Sequence, residues 1–147
     1  MKKFLVLAGA LGVILLALFL FETRQNIISP IDAGITYEVV STPEAMAKGL
    51  GGRSDIPHDY GMLFVFATSN IYHFWMKDML VPIDILWLST DGTIIGIDVS
   101  VSPDTYPATF APPRPARFVL EMRAGEAKLK NLSVGLRLLL PSQLQKQ

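Results

Sequence analysis

The sequence predicts a mainly-β single domain, a β-sandwich or barrel with one or two short helices, behind an N-terminal transmembrane helix. Three observations carry this. Short β-branched and aromatic runs recur between Gly, Pro and Asp-Gly turn signals from Ile35 to Leu140. Only two stretches, near Pro43 and near Glu126, carry helix signals, and strands do not alternate with helices as in a parallel α/β fold. Phe4 to Phe21 contains no charged residue and follows Lys2 and Lys3.

That apolar run would be roughly 27 Å long as a helix, close to the hydrocarbon thickness of a bilayer. Residues 1–21 are therefore a signal anchor or a signal peptide. A cleaved peptide needs small residues after the apolar run, whereas Leu18–Phe21 leads directly into Glu22, which favours the anchor. Lys2 and Lys3 hold the N-terminus in the cytoplasm by the positive-inside rule. The expected location is the inner membrane, single-pass, with the domain in the periplasm or outside; cleavage would give a secreted periplasmic protein.

Residues 22–34 are polar and unpatterned, a linker, and the β domain is expected over residues 35–141. Ile35–Val40 is β-branched and aromatic, a first strand. Thr42, Pro43 and Glu44 give a cap, a first-turn proline and an early acid, and Gly49, Gly51 and Gly52 end the short helix they start. Gly61–Phe66 is nearly all apolar, as in a strand covered on both faces. Tyr72–Lys77 alternates, with Tyr72, Phe74 and Met76 opposite His73, Trp75 and Lys77. Ile83–Ser89 and Thr93–Val101 flank the hairpin signal Asp91-Gly92. Pro103, Pro107, Pro112, Pro113 and Pro115 mark an irregular loop. Arg117–Met122 is a strand, Glu126–Leu132 a short helix, Leu136–Leu140 a last strand, and 142–147 a polar tail.

The 147 residues carry 13 basic and 13 acidic side chains, which lacks the basic excess of a nucleic-acid binder, so no nucleic acid is expected as a partner. With no Cys and only 2 His, neither a thiolate centre nor a His-rich metal site is expected, and no cofactor is implied. The chemistry-bearing residues concentrate in Tyr72–Asp84. Asp84 alternates with Leu86 and Leu88, so its face is apolar and its carboxylate needs a partner, with Arg53 and Lys77 as candidates. Glu121 sits two residues beyond Val119 in the same kind of position. Two such acids mean acid–base work or a cation site, or equally a buried ion pair that fixes loop geometry. Trp87 shares a face with Ile83 and Ile85 and reads as core, whereas Trp75 shares a face with His73 and Lys77 and is a candidate exposed platform. His73 is either a structural hydrogen-bonding residue or a base; His58, in a loop, is expected to be solvated.

Gly49-Leu50 with Arg53, GMLFVF at 61–66, FWMK at 74–77, Pro82-Ile83-Asp84, Asp91-Gly92 with Ile94, VLEMRAG at 119–125 and Gly135 together resemble the DUF192 (UPF0127) family. The resemblance implies a mainly-β, jelly-roll-like domain and supplies no established activity. The chain differs at Gly51, where the family usually has Met, at Asp78-Met79, where Asn-Thr is common, and at Leu136, where Asp is common.

The expected function is a membrane-tethered module that binds a small polar ligand, such as a saccharide or cell-wall fragment. Its pocket is expected to be lined by Arg53, Trp75, Lys77, Asp84 and Glu121, and residues 4–21 make the inner membrane its other partner. The alternatives are a hydrolase or lyase using Asp84 and Glu121 with His73 or Lys77, and an envelope structural or assembly partner.

Overall fold

A computed structural model describes residues 29–144. The anchor expected over residues 1–21 lies outside the described residues. No helix among the described residues is long and apolar enough to cross a membrane.

Among the described residues seven strands form: β1 (Thr36–Val40), β2 (Tyr60–Asn70), β3 (Phe74–Trp75), β4 (Ile83–Leu88), β5 (Ile94–Val101), β6 (Thr109–Phe110) and β7 (Ala116–Arg123). Two short helices join them, α1 (Pro43–Lys48) and α2 (Glu126–Leu129). Five strands make one mixed sheet in the order β1-β2-β7-β4-β5, and β3 pairs with β6 in a small ribbon. β1 runs parallel to β2, and the other pairs are antiparallel. β1 and β5 end the sheet without pairing to each other, so it stays open.

The domain is therefore mainly β, as expected, but its strands do not close into a barrel. Two expected strands are shorter than the sequence suggests, which leaves only the two-stranded β3–β6 ribbon beside the main sheet. Of Tyr72–Lys77 only Phe74 and Trp75 pair, and the chain then turns at Asp78, whose φ is 58°. Leu136–Leu140 makes only single bridges, Arg137 to Thr93 and Leu138 to Ile31. The proline-rich loop, expected to be irregular, contributes the short β6.

The central strands separate two apolar cores. Met62, Phe64, Ile83, Ile85, Trp87 and Val119 pack on one face, and Leu63, Leu86, Leu88, Leu120 and Met122 on the other. That is why β4 is buried at all six positions and Gly61–Phe66 is nearly all apolar: a strand covered on both sides has no solvent face to make polar. Trp87 is core, 1 % exposed, with its Nε1 donating to Asp98 Oδ2 at 2.7 Å.

The local signals at the turns hold. The Thr42 hydroxyl accepts from the Ala45 N–H, Pro43 opens α1 and Gly49 caps it. At the β4–β5 hairpin, Asp91 accepts from the Ser89 hydroxyl and the Thr93 N–H. Gly92 has φ 83°, and a Cβ there would lie 2.8 Å from the Leu138 carbonyl oxygen. Gly92→Ala is accordingly expected to cost about 2 kcal/mol, from left-handed strain and the backbone clash together. Urea denaturation checks this, and a loss near zero would show that the Leu138 strip moves freely.

Candidate functional site

The face of the sheet that carries Trp87 is not fully filled. Where β2 and β7 meet the C-terminal end of α1 and the Tyr72–Lys77 segment, a cavity of about 270 Å³ opens to the surface. Phe64 and Phe66 come from alternate positions of β2 and point to the same side. Phe74 meets Phe64 edge-on at 4.9 Å and Trp87 edge-on at 5.4 Å, and Tyr72 stacks on Phe66 at 3.6 Å between ring centroids. These ring contacts fix the aromatic wall. Met46, Leu50 and Met79 add apolar lining, and Lys48, His73, Trp75 and Lys77 are exposed around the mouth.

Glu121 lines this cavity from β7. It is buried, and its Oε2 has no hydrogen-bonding partner among the described protein groups. Burial alone pushes its carboxyl up to about 8, so it is protonated at neutral pH. Beside it the chain passes through Gly49, with φ 51° and ψ −138°, a backbone shape open essentially to glycine. A Cβ there would sit 3.6 Å from Glu121 Oε2 and 3.5 Å from Phe64 Cζ. The glycine that ends α1 thus also leaves space next to the carboxyl.

The structure gathers Trp75, Lys77 and Glu121 of the expected site, with His73, around one cavity. It does not bring Arg53 or Asp84 there. Arg53 is turned to the edge of the sheet, with NH2 donating to both Glu38 carboxylate oxygens at 2.9 Å and NH1 to the Tyr60 hydroxyl at 2.7 Å. The Tyr60 hydroxyl donates in turn to Glu38, and these contacts hold the Glu38 carboxyl below the usual carboxylate range. Arg53 thereby ties the loop after α1 to β1 and β2.

Asp84 lies on the opposite side of the sheet from Glu121. Asp84 pairs in register with Met122, and Ile85 with Glu121; neighbouring strand positions face opposite ways. Neither Arg53 nor Lys77 is its partner. Its Oδ1 accepts from the Ser100 N–H at 2.8 Å and its Oδ2 from the Ala127 N–H at 3.0 Å. The Ser100 N–H is left over by a bulge in β5, where Ile83 pairs with Val101 but Ile85 with Asp98. Asp84 is thus a structural carboxylate that joins a bulge to the first turn of α2. A two-carboxylate mechanism using Asp84 and Glu121 has no geometry here, because the sheet stands between them.

His58, expected to be solvated, pairs through Nδ1 with Glu126 Oε2 at 2.8 Å, while Asp59 N–H donates to Glu126 Oε1 at 3.1 Å. Phe64, Phe66, Tyr72, Phe74 and Gly49 are cavity residues that the sequence reading assigned to strands and a helix end. Their signal was the shared parity of Phe64 and Phe66 with Met62, hidden within a continuously apolar run.

No curated protein matches this chain. The sequence model of the DUF192 family, described as an uncharacterized ACR, matches residues 26–140. Among solved structures, a Sinorhizobium meliloti 1021 protein described as a "putative transcription regulator" is 34% identical, with TM-score 0.67, over 70% of this chain and 79% of its own. A protein of unknown function from Novosphingobium aromaticivorans DSM 12444 is 26% identical, with TM-score 0.65, over 69% of this chain and 71% of its own.

Proposed function

The chain belongs to the DUF192 family, and from that premise we propose that it is a binding module for a small polar ligand held in the aromatic cavity beside Glu121. One observation carries the proposal: a buried carboxyl oxygen without a partner among the described residues opens onto a ring-lined cavity. A buried polar group left unpaired costs free energy, and a ligand that hydrogen-bonds to it recovers that cost on binding. The combination of apolar walls and one convergent polar group is the usual composition of a small-molecule site. A ring-shaped polar molecule, such as a saccharide or cell-wall fragment, suits Trp75, whose indole is 54 % exposed at the mouth and stacks on C–H surfaces.

Binding by the full-length chain is measured with ligand-observed NMR against a panel of sugars, amino sugars and muropeptides. Trp75→Ala is expected to weaken binding at least tenfold, while stability changes by no more than about 0.5 kcal/mol, as for other exposed positions. Unchanged binding, or a large loss of stability, overturns the assignment of Trp75 to the site. Arg53→Ala serves as the contrast and is expected to leave binding unaltered.

Residues 4–21 support tethering of this module to the inner membrane with the domain outside. Membrane fractionation with intact-mass analysis is expected to return the full chain with the membranes. A soluble product beginning near Glu22 would refute the anchor. The regulator description of the Sinorhizobium protein finds no support in this chain, whose balanced charge lacks a basic excess.

A further inference from the structure

We propose that the cavity takes a small organic ammonium ion, its positive charge set among the Phe64, Phe66, Phe74 and Trp75 rings and against the unpartnered Glu121 carboxyl. This rests on the small-ligand reading above and names the charge its ligand carries.

An aromatic ring presents a negative face, and a cation near several rings gains attraction that strengthens as water is excluded. A neutral ligand group could accept from or donate to the Glu121 carboxyl, but only a cation converts it into a charged partner in place of an unpaired acid. Replacement balances in charge: one cation enters, and one proton leaves the carboxyl for the buffer. The groups around Glu121 do not compete for this role. Its register neighbours Met62 and Ile85 are apolar. The other titratable groups on the cavity are Lys48 at the end of α1 and Tyr72, His73 and Lys77 before and after β3. None of them hydrogen-bonds to Oε2. Lys48 and Lys77 are exposed, where water and salt weaken their repulsion of a cation.

The test compares a permanent cation with its uncharged twin on the full-length chain. Choline keeps its charge at every pH, and 3,3-dimethylbutan-1-ol has the same shape without charge. The dissociation constant of choline is expected to fall about tenfold per pH unit from about pH 5 to about pH 8 and then level off, since one proton is displaced per cation until the free carboxyl ionises on its own. Calorimetry in buffers of different ionisation enthalpy is expected to show that proton being released. The alcohol is expected to bind more weakly than choline at pH 8 and without a slope. Glu121→Gln is expected to erase the slope for choline and to remove the advantage of choline over the alcohol at pH 8. If the alcohol matches choline at every pH, the cation assignment fails and the small-ligand reading stands. A slope that survives Glu121→Gln belongs to His73 or another group and also overturns the proposal. If neither probe binds and the sugar panel is silent as well, both readings fail together.

Discussion

Glu121→Gln is expected to make the protein more stable by about 4 kcal/mol near pH 8 and to change it little near pH 4.5. The unfolded carboxyl loses its proton near 4.5, whereas the buried one keeps it to about 8. Between those values the unfolded chain binds fewer protons than the folded chain, so stability present below the lower value is lost as pH rises to the upper one. The amide matches the protonated acid in size and lack of charge, so the variant escapes that loss. Urea melts across the window check this; parallel curves for the two proteins would show that Glu121 is hydrated or paired in solution. A residue that costs the fold this much has a reason to be there other than packing, which is the argument for function.

Asp84→Ala is expected to act in the opposite direction, lowering stability by about 3 kcal/mol and the melting temperature on the order of 10 °C. Removing the carboxylate leaves the Ala127 N–H buried without an acceptor and frees the Ser100 N–H at the β5 bulge. Asp84→Asn is expected to lose a large part of the same amount, because an amide offers only one accepting oxygen where two donors converge. Thermal melts of both variants decide the point. A harmless Asp84→Asn would mean that one of the two contacts carries no weight. Ligand binding is expected to be intact in any Asp84 variant that folds, since the residue does not reach the cavity.

Much of the strand layout was legible because it is written in local chemistry. Thr42-Pro43-Glu44 and Asp91-Gly92 specify their own turns, and the continuous apolar run at 61–66 reports burial on both faces. What was not legible depends on pairing between distant segments. Nothing within Tyr72–Lys77 says that only two residues find a partner, because that partner lies in the proline-rich loop. Asp84 and Glu121 look alike in sequence, each an acid among alternating apolar residues. Their difference lies in register, which sets Asp84 beside Met122 and Glu121 beside Ile85. Trp75 was legible as a surface ring because its neighbours of the same parity are His73 and Lys77. Arg53 was misplaced because its partner Glu38 lies on β1, fifteen residues earlier.

Because β4 and β7 carry Asp84 and Glu121 on opposite sides, the same two ribbons of backbone serve as a bulkhead. Changes in the ring-lined chamber are shielded from the brace that anchors α2, and changes in that brace leave the chamber untouched. Substitutions that line the chamber are therefore expected to leave the seating of α2 intact.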